Sequence, residues 1–323
     1  NHWLLAWLGL ELNTLSILPM MMKQHHPRTT EATTKYFLIQ ATAAASILFA
    51  STINAWQTGQ WSLMQTNSTT TTTLVTIAIM MKLGLAPAHL WYPEILQGTP
   101  MNIAMVISTW QKIAPLTLLY LTHNNLNQAT MMTIGLLSAI LGSWTGLNQT
   151  QTRKIMAFSS IAHMGWLMTA LSLSQSLATL TITVYLITTT ATFMILTIAT
   201  IKTITNVGTS WTMSPTMLTT TMITLLSLGG LPPLSGFMPK WLILTELTSA
   251  NLAPISLALL TTSLPSLYFY TRMAYMTMLT TPPITTNTKL KWRLTTPTPP
   301  SMTLMILPAW LLIPTTAALY NIT

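Results

Sequence analysis

Glu11, Lys82, Lys112 and Lys240 stand inside long apolar runs of this chain. Ionisable groups at membrane depth are the raw material of a proton relay. Desolvation there favours the neutral amine, and a neighbouring carboxylate restores the ammonium. A buried lysine beside a movable glutamate therefore takes up and releases a proton as its partner shifts. Glu11 with Lys82 is the candidate pair, Lys112 the mid-membrane relay, and Lys240 the site beside a helix break. A static ion pair between Glu11 and Lys82 is the competing reading. Lys112 lies about 11 residues from either end of its run, roughly 16 Å at the helical rise. Its stem is too short to reach water over that distance. Each ionised side chain at mid-helix costs about 3 kcal/mol, so the four together cost about 10 kcal/mol, as much as a whole domain's stability. Pairing, hydration or loss of the proton must offset that cost.

Two histidines also fall at depth. His163 is central in its run with Ser159 and Ser160 about one turn earlier, and His89 stands beside Trp91. Imidazoles suit proton transfer near neutral pH, and a hydrogen-bonded structural role fits each equally well. Glu246 reads as a relay or as a loop-edge residue, and Glu94 as interfacial. The Asn-x-Ser/Thr acceptors at Asn67, Asn148 and Asn321 read as accidents of a threonine-rich sequence.

The elements that must hold these groups are set by composition. Of the 323 residues, 50% are hydrophobic and only 5% charged, against about 25% charged in a soluble domain. Apolar runs of about 20 residues recur throughout, the length of a transmembrane helix. Short alternating strands of a barrel are absent from the pattern. The expected fold is an all-α polytopic membrane protein with about ten transmembrane helices. The spans are 3–22, 33–56, 68–97, 101–122, 126–146, 152–171, 175–201, 214–249, 251–276 and 301–320. Alternating loops place Lys23, Arg28, Lys35, Arg153, Lys154, Lys202, Arg272, Lys289, Lys291 and Arg293 on one face and no Lys or Arg on the other. That is the positive-inside pattern, with the basic face toward the matrix or cytoplasm.

Two spans are too long for a single straight crossing. "GLAPAHLWYPE" (84–94) interrupts one and "GLPPLSGFMPK" (230–240) the other, with Gly, Leu and both outer prolines at matching offsets. A proline frees backbone groups in a helix, and in lipid these are tolerated only against protein or a wet cavity. Discontinuous helices in corresponding places of two inverted repeats mark the translocation site of ion-coupled transporters. A simple kink is the bland alternative. The repeats read as about 1–122 and about 126–276, in one membrane domain over 1–323 with an extra C-terminal helix at about 301–320.

Other classes are disfavoured. The net charge of +9 is read as loop anchoring on one side of a bilayer rather than nucleic-acid binding. With no cysteine, this chain offers no disulfide, thiolate metal site or iron–sulfur ligation. It has no GxGxxG or Walker A loop for a nucleotide. Threonine and methionine are abundant for no reason that composition supplies. The start at Asn1, directly before an apolar run, leads to the expectation of further residues upstream.

"KLGLAPAHLWYPEILQGTP", "GLNQTQTRKIMAFSSIAHMGW" and "LGGLPPLSGFMPKW" resemble the chain 2 family of NADH–ubiquinone oxidoreductase, antiporter-like membrane-arm subunits of mitochondrial respiratory complex I. The similarity runs along the whole chain, through "HWLLAWLGLELN" and "PRTTEATTKYFLIQATAAA". It implies a proton-pumping subunit with two inverted five-helix repeats, in the mitochondrial inner membrane, its basic loops on the matrix side. It implies that Glu11, Lys82, Lys112 and Lys240 match the family's proton-translocation axis, none of whose positions is altered here. It also implies partners among the other membrane-arm subunits and a chain not functional alone. NADH, flavin, iron–sulfur clusters and ubiquinone belong to other subunits, with no cofactor, metal or redox site in this one. The vertebrate form begins with one further helix. A stand-alone cation/proton antiporter and a non-pumping scaffold are the alternatives.

Overall fold

A threonine in a lipid-facing helix needs a partner for its hydroxyl, and the helix itself supplies one. Exposed Thr42, Thr52, Thr117 and Thr261 each donate to the carbonyl three residues earlier, at 2.8 or 2.9 Å. Buried Thr181, Thr192 and Thr221 do the same. These back-bonds present no unsatisfied hydroxyl to lipid. That is how a threonine-rich chain still builds membrane helices.

The computed structural model describes residues 2–23, 25–65, 68–209, 215–277, 301–316 and 320; Asn1, Asn67, Lys289, Lys291, Arg293 and Asn321 lie outside them. The helices are α1 Trp3–Met22, α2 Pro27–Thr58, α3 Thr69–Leu83, α4 Trp91–Gly98, α5 Met101–Ser108, α6 Trp110–Thr122, α7 Gln128–Gly146, α8 Thr152–Leu173, α9 Gln175–Ile198, α10 Ile204–Thr209, α11 Pro215–Gly229, α12 Phe237–Ser249, α13 Ala253–Thr277 and α14 Ser301–Leu311. Among the described residues the only β pairing is two isolated bridges, His2 with Ser62 and Gln151 with Thr203. The fold is all-α. Among the described residues, five helices (α1, α2, α7, α8 and α9) are long and apolar enough to cross a bilayer whole.

The expected spans at 68–97 and 214–249 are each two half-helices, α3 with α4 and α11 with α12. The span expected as one helix over 101–122 is also divided. Thr109 takes φ −115° and ψ −72° between α5 and α6. Ser108 Oγ and Thr109 Oγ1 both donate to the Met105 carbonyl, at 2.9 and 2.7 Å, alongside the Thr109 N–H at 3.0 Å. Such side-chain bonds disturb the helical ladder. At the C-terminal end, the described helix of the 301–320 span stops at Leu311.

The chain divides into two compact units: residues 1–141 with 160–175, and residues 142–159 with 176–323. In the first, α2 packs against α1, α3 and α4, while α6 packs against α1, α3 and α5. Gly135 of α7 and Gly165 of α8 permit a close crossing. A Cβ on Gly165 would stand 2.6 Å from the Gly135 carbonyl, the small-residue contact that membrane helices favour. At one end of this unit, Trp3 N–H donates to the Trp61 carbonyl, Asn125 Nδ2 to Met64 and Gln128 Nε2 to Ser172. None of those loops carries Lys or Arg. The other end carries Arg28 and Lys35, and Lys35 pairs with Glu31 at 2.6 Å and Glu94 at 2.8 Å.

In the second unit, α13 packs against α10, α11 and α12, and α11 against α14. Arg272, near the end of α13, donates to the carbonyls of Leu147 and Gln149 at 2.8 and 2.5 Å. Thr152 N–H donates to the Lys202 carbonyl at 3.2 Å. These bonds gather Arg153, Lys154, Lys202 and Arg272 at one end of the unit. Within each unit these loop and helix-end cations thus share an end, as the alternating-loop reading expects, while Lys82, Lys112 and Lys240 stand apart from them.

Candidate functional site

Each half-helix pair is built the same way. The first half ends at Leu83 or Gly229, and the next residue is a left-handed glycine, Gly84 at φ +71° or Gly230 at φ +79°. The second half starts seven residues after that glycine, at Trp91 or Phe237. Glycine is required because a side chain is strained at such φ and because space is short. A Cβ on Gly84 would meet Trp91 and Tyr92 side-chain atoms at 3.3 Å, and one on Gly230 would meet Lys240 Nζ at 3.0 Å.

The two lysines occupy different positions of this plan and reach similar electrostatic surroundings. Lys82 lies in the last turn of α3, where the unpaired carbonyls of a helix end favour a cation. Lys240 begins the other way round, on α12, and reaches back across the break. Its Nζ donates to the carbonyl of Gly229, the last residue of α11, at 2.9 Å. Lys82 thus belongs to the last turn of one first half-helix, and Lys240 Nζ reaches the last residue of the other.

Lys82 and Lys112 line one cavity in the first unit, with Asn13, Tyr36, Gln40, Tyr92 and Gln111 among its walls. The space left to water is about 10 Å³, enough for roughly one water molecule. Lys112 Nζ stands 5.0 Å from the centroid of the Tyr92 ring, within cation–π range. The amide of Gln111 links the walls: Tyr36 OH donates to its Oε1 at 3.4 Å, and its Nε2 donates to the Asn13 carbonyl at 3.2 Å. Gln40 Nε2 donates to the Lys82 carbonyl at 3.3 Å. Lys82 is buried, and its Nζ has no hydrogen-bond partner among the described residues.

Glu11 is half-buried on α1, near enough for its charge to act on Lys82 and Tyr36. No ion pair joins Glu11 to Lys82, and Glu11 Oε2 is likewise without a hydrogen-bond partner among the described residues. Helix α2 packs against both α1, which carries Glu11, and α3, which carries Lys82. His89 is buried, with Nδ1 3.2 Å from the Pro87 carbonyl, and does not line the cavity. His163 is half-buried on α8, after the buried Ser159 and Ser160. Glu94 is exposed and tied to Lys35, as an interfacial residue would be. Glu246 is half-buried near the end of α12. Sequence reasoning missed Gln40, Gln111, Tyr36 and Tyr92. The signal available was an amide or phenol inside an apolar run, most plainly Gln111 next to Lys112.

Residues 1–265 match the family described as NADH:quinone oxidoreductase/Mrp antiporter, transmembrane region, and residues 267–320 match the NADH dehydrogenase subunit 2 C-terminus. Full-length similarity decides which branch. NADH-ubiquinone oxidoreductase chain 2 of Mareca americana is 52% identical over 95% of this chain and 88% of its own length. The chain 2 protein of Oncorhynchus mykiss is 53% identical over 91% and 84%. This chain belongs to the NADH–ubiquinone oxidoreductase chain 2 family. A chain of respiratory complex I from Thermus thermophilus has the same fold as this chain 2 member, with TM-score 0.82 and 25% identity over 99% of this chain and 73% of that one. A chain of the archaeal membrane-bound sulfane sulfur reductase shares the fold alone, with TM-score 0.82 and 17% identity over 98% and 69%. Both half-helix pairs of this chain 2 family member lie within residues 1–265, the stretch that matches the NADH:quinone oxidoreductase/Mrp antiporter family.

Proposed function

We propose that this chain is a proton-translocating membrane-arm subunit of NADH:ubiquinone oxidoreductase, working in the mitochondrial inner membrane with its basic loops on the matrix side. Glu11, Lys82, Lys112 and Lys240 hold the protons, with His163 and His89 as further candidates. The observation that carries this reading is the shared cavity of Lys82 and Lys112 at the end of a broken helix. Two ammonium charges facing one enclosed space repel, so a proton arriving at one lysine displaces the proton of the other. Glu11 acts on Lys82 through its field, and a small movement of α1 changes that field steeply at such range. Tyr92 steadies the charged form of Lys112, and the amides of Gln40 and Gln111 give a water molecule its partners. The equal spacing of the two glycine breaks supports repeats at about 1–122 and 126–276, with 301–320 as an added helix.

Electron transfer belongs to other subunits in this reading. NADH, flavin, iron–sulfur clusters and ubiquinone are held there, and their redox energy reaches this chain as shifts of charge through neighbouring membrane-arm subunits. The test is Lys82→Met and Lys112→Met in the assembled complex, with complex amount, NADH oxidation and proton pumping all measured. Each variant is expected to assemble and to slow proton transfer through this chain about 10²-fold, the low end of what a placed acid–base group contributes. Normal pumping in both variants makes the chain a scaffold. Proton-coupled cation transport by the isolated chain in liposomes makes it a stand-alone antiporter.

A further inference from the structure

Lys240 meets the Gly229 carbonyl because the connection between the half-helices, residues 230–236, folds closely around it. A Cβ on Gly230 would stand 3.0 Å from Lys240 Nζ, and one on Gly236 would overlap the Ser227 carbonyl. The placement of this connection therefore decides what the ammonium group meets. One side-chain bond ties it to a remote part of the second unit. Ser235, fully buried, donates from Oγ to the carbonyl of Ala309 at 2.5 Å.

Helix α14 is suited to accept that bond. It ends at Leu311, so the Ala309 carbonyl belongs to the last turn, where helical donors run out. The helix is itself anchored: Ile306 packs with Ile195 in a buried cluster, and Ile198, Met217 and Trp310 close around it. Ile195 and Ile198 stand on α9 and Met217 on α11, while Trp310 belongs to α14 itself. Ala309 also lies outside residues 1–265, which match the antiporter family, and inside 267–320, which match the subunit 2 C-terminus. The connection lies in the first matched stretch and its fastening in the second.

We infer that α14 braces the second helix break and that Ser235 is a positioning residue for Lys240. The Ser235–Ala309 bond holds residues 230–236 where the Gly229 carbonyl accepts from the ammonium group. Loss of the bond lets the connection move and lowers the time Lys240 spends on that carbonyl. The inference rests on the reading of Lys240 as a proton-holding site.

The experiment uses the assembled complex with Ser235→Ala, Ser235→Cys, Ser235→Thr, Lys240→Met and the Ser235→Ala/Lys240→Met double variant. Complex amount, NADH oxidation and protons pumped per NADH are read for each. Removing one buried hydrogen bond shifts an occupancy about fivefold, so S235A is expected to lose about half or more of the pumping that K240M loses. S235C keeps the volume with a weaker donor and falls between S235A and the parent. S235T keeps the hydroxyl and restores pumping. S235A adds nothing in the K240M background. Parental pumping in S235A or S235C beside a deficient K240M overturns the inference, as does a further loss in the double variant. A deficit in which S235T tracks S235A and pumping follows complex amount alone also overturns it, leaving a packing role. Parental pumping in K240M sinks the reading of Lys240 itself, a separate outcome.

Discussion

Tyr92 illustrates how one residue decides the chemistry of another. Its ring faces Lys112 Nζ at 5.0 Å, and a desolvated contact of this kind is worth about 0.5–2 kcal/mol. Tyr92→Phe keeps the ring and is expected to pump nearly as the parent does. Tyr92→Leu loses it and is expected to slow proton transfer by between about twofold and thirtyfold. Pumping assays on the two assembled variants check this, and equal rates sink it. Gln111 is the complementary case. Removing its amide as Gln111→Leu strips the Tyr36 hydroxyl of its partner, and a buried orphan costs about 1–3 kcal/mol. The expected outcome is less assembled complex on native gels. Lys112 was conspicuous as a charge in an apolar run, whereas Gln111 and Tyr92 matter only because of where their side chains end up.

The broken helices turn on their glycines, and there a substitution tells most. Gly59, after α2, and Gly230 both have positive φ, +71° and +79°, but nothing lies within 4 Å of a Cβ on Gly59. Gly59→Ala therefore bears only the left-handed strain, about 1–2 kcal/mol. Gly230→Ala bears that strain and also displaces Lys240. Complex amount is expected to fall similarly in the two variants, while pumping per assembled complex falls in Gly230→Ala alone. Equal pumping in both separates the glycine from the lysine and refutes the coupling. Gly and Pro made the two long breaks readable in advance. The break at Thr109 was not readable, because serine and threonine pairs also stand inside unbroken helices of this chain, as Thr188 and Thr189 do.

For the whole molecule, the sidedness of the loops is the property to test, and the absence of cysteine makes the test clean. Exposed Thr30 and Asn124 lie at opposite ends of the first unit. Thr30→Cys is expected to react with an impermeant thiol reagent from the matrix side only, and Asn124→Cys from the other side only. Labelling from the same side would overturn the alternating-loop assignment. The all-α class and the two long breaks were legible in the linear chain, because hydropathy and proline act through local composition and span length. Tertiary structure alone decided that Lys82 and Lys112 share a cavity, that Glu11 acts without touching, and that Lys240 turns back to Gly229. Those are facts of distance between side chains on separate elements, and distance across a fold is set by packing rather than by position along the chain.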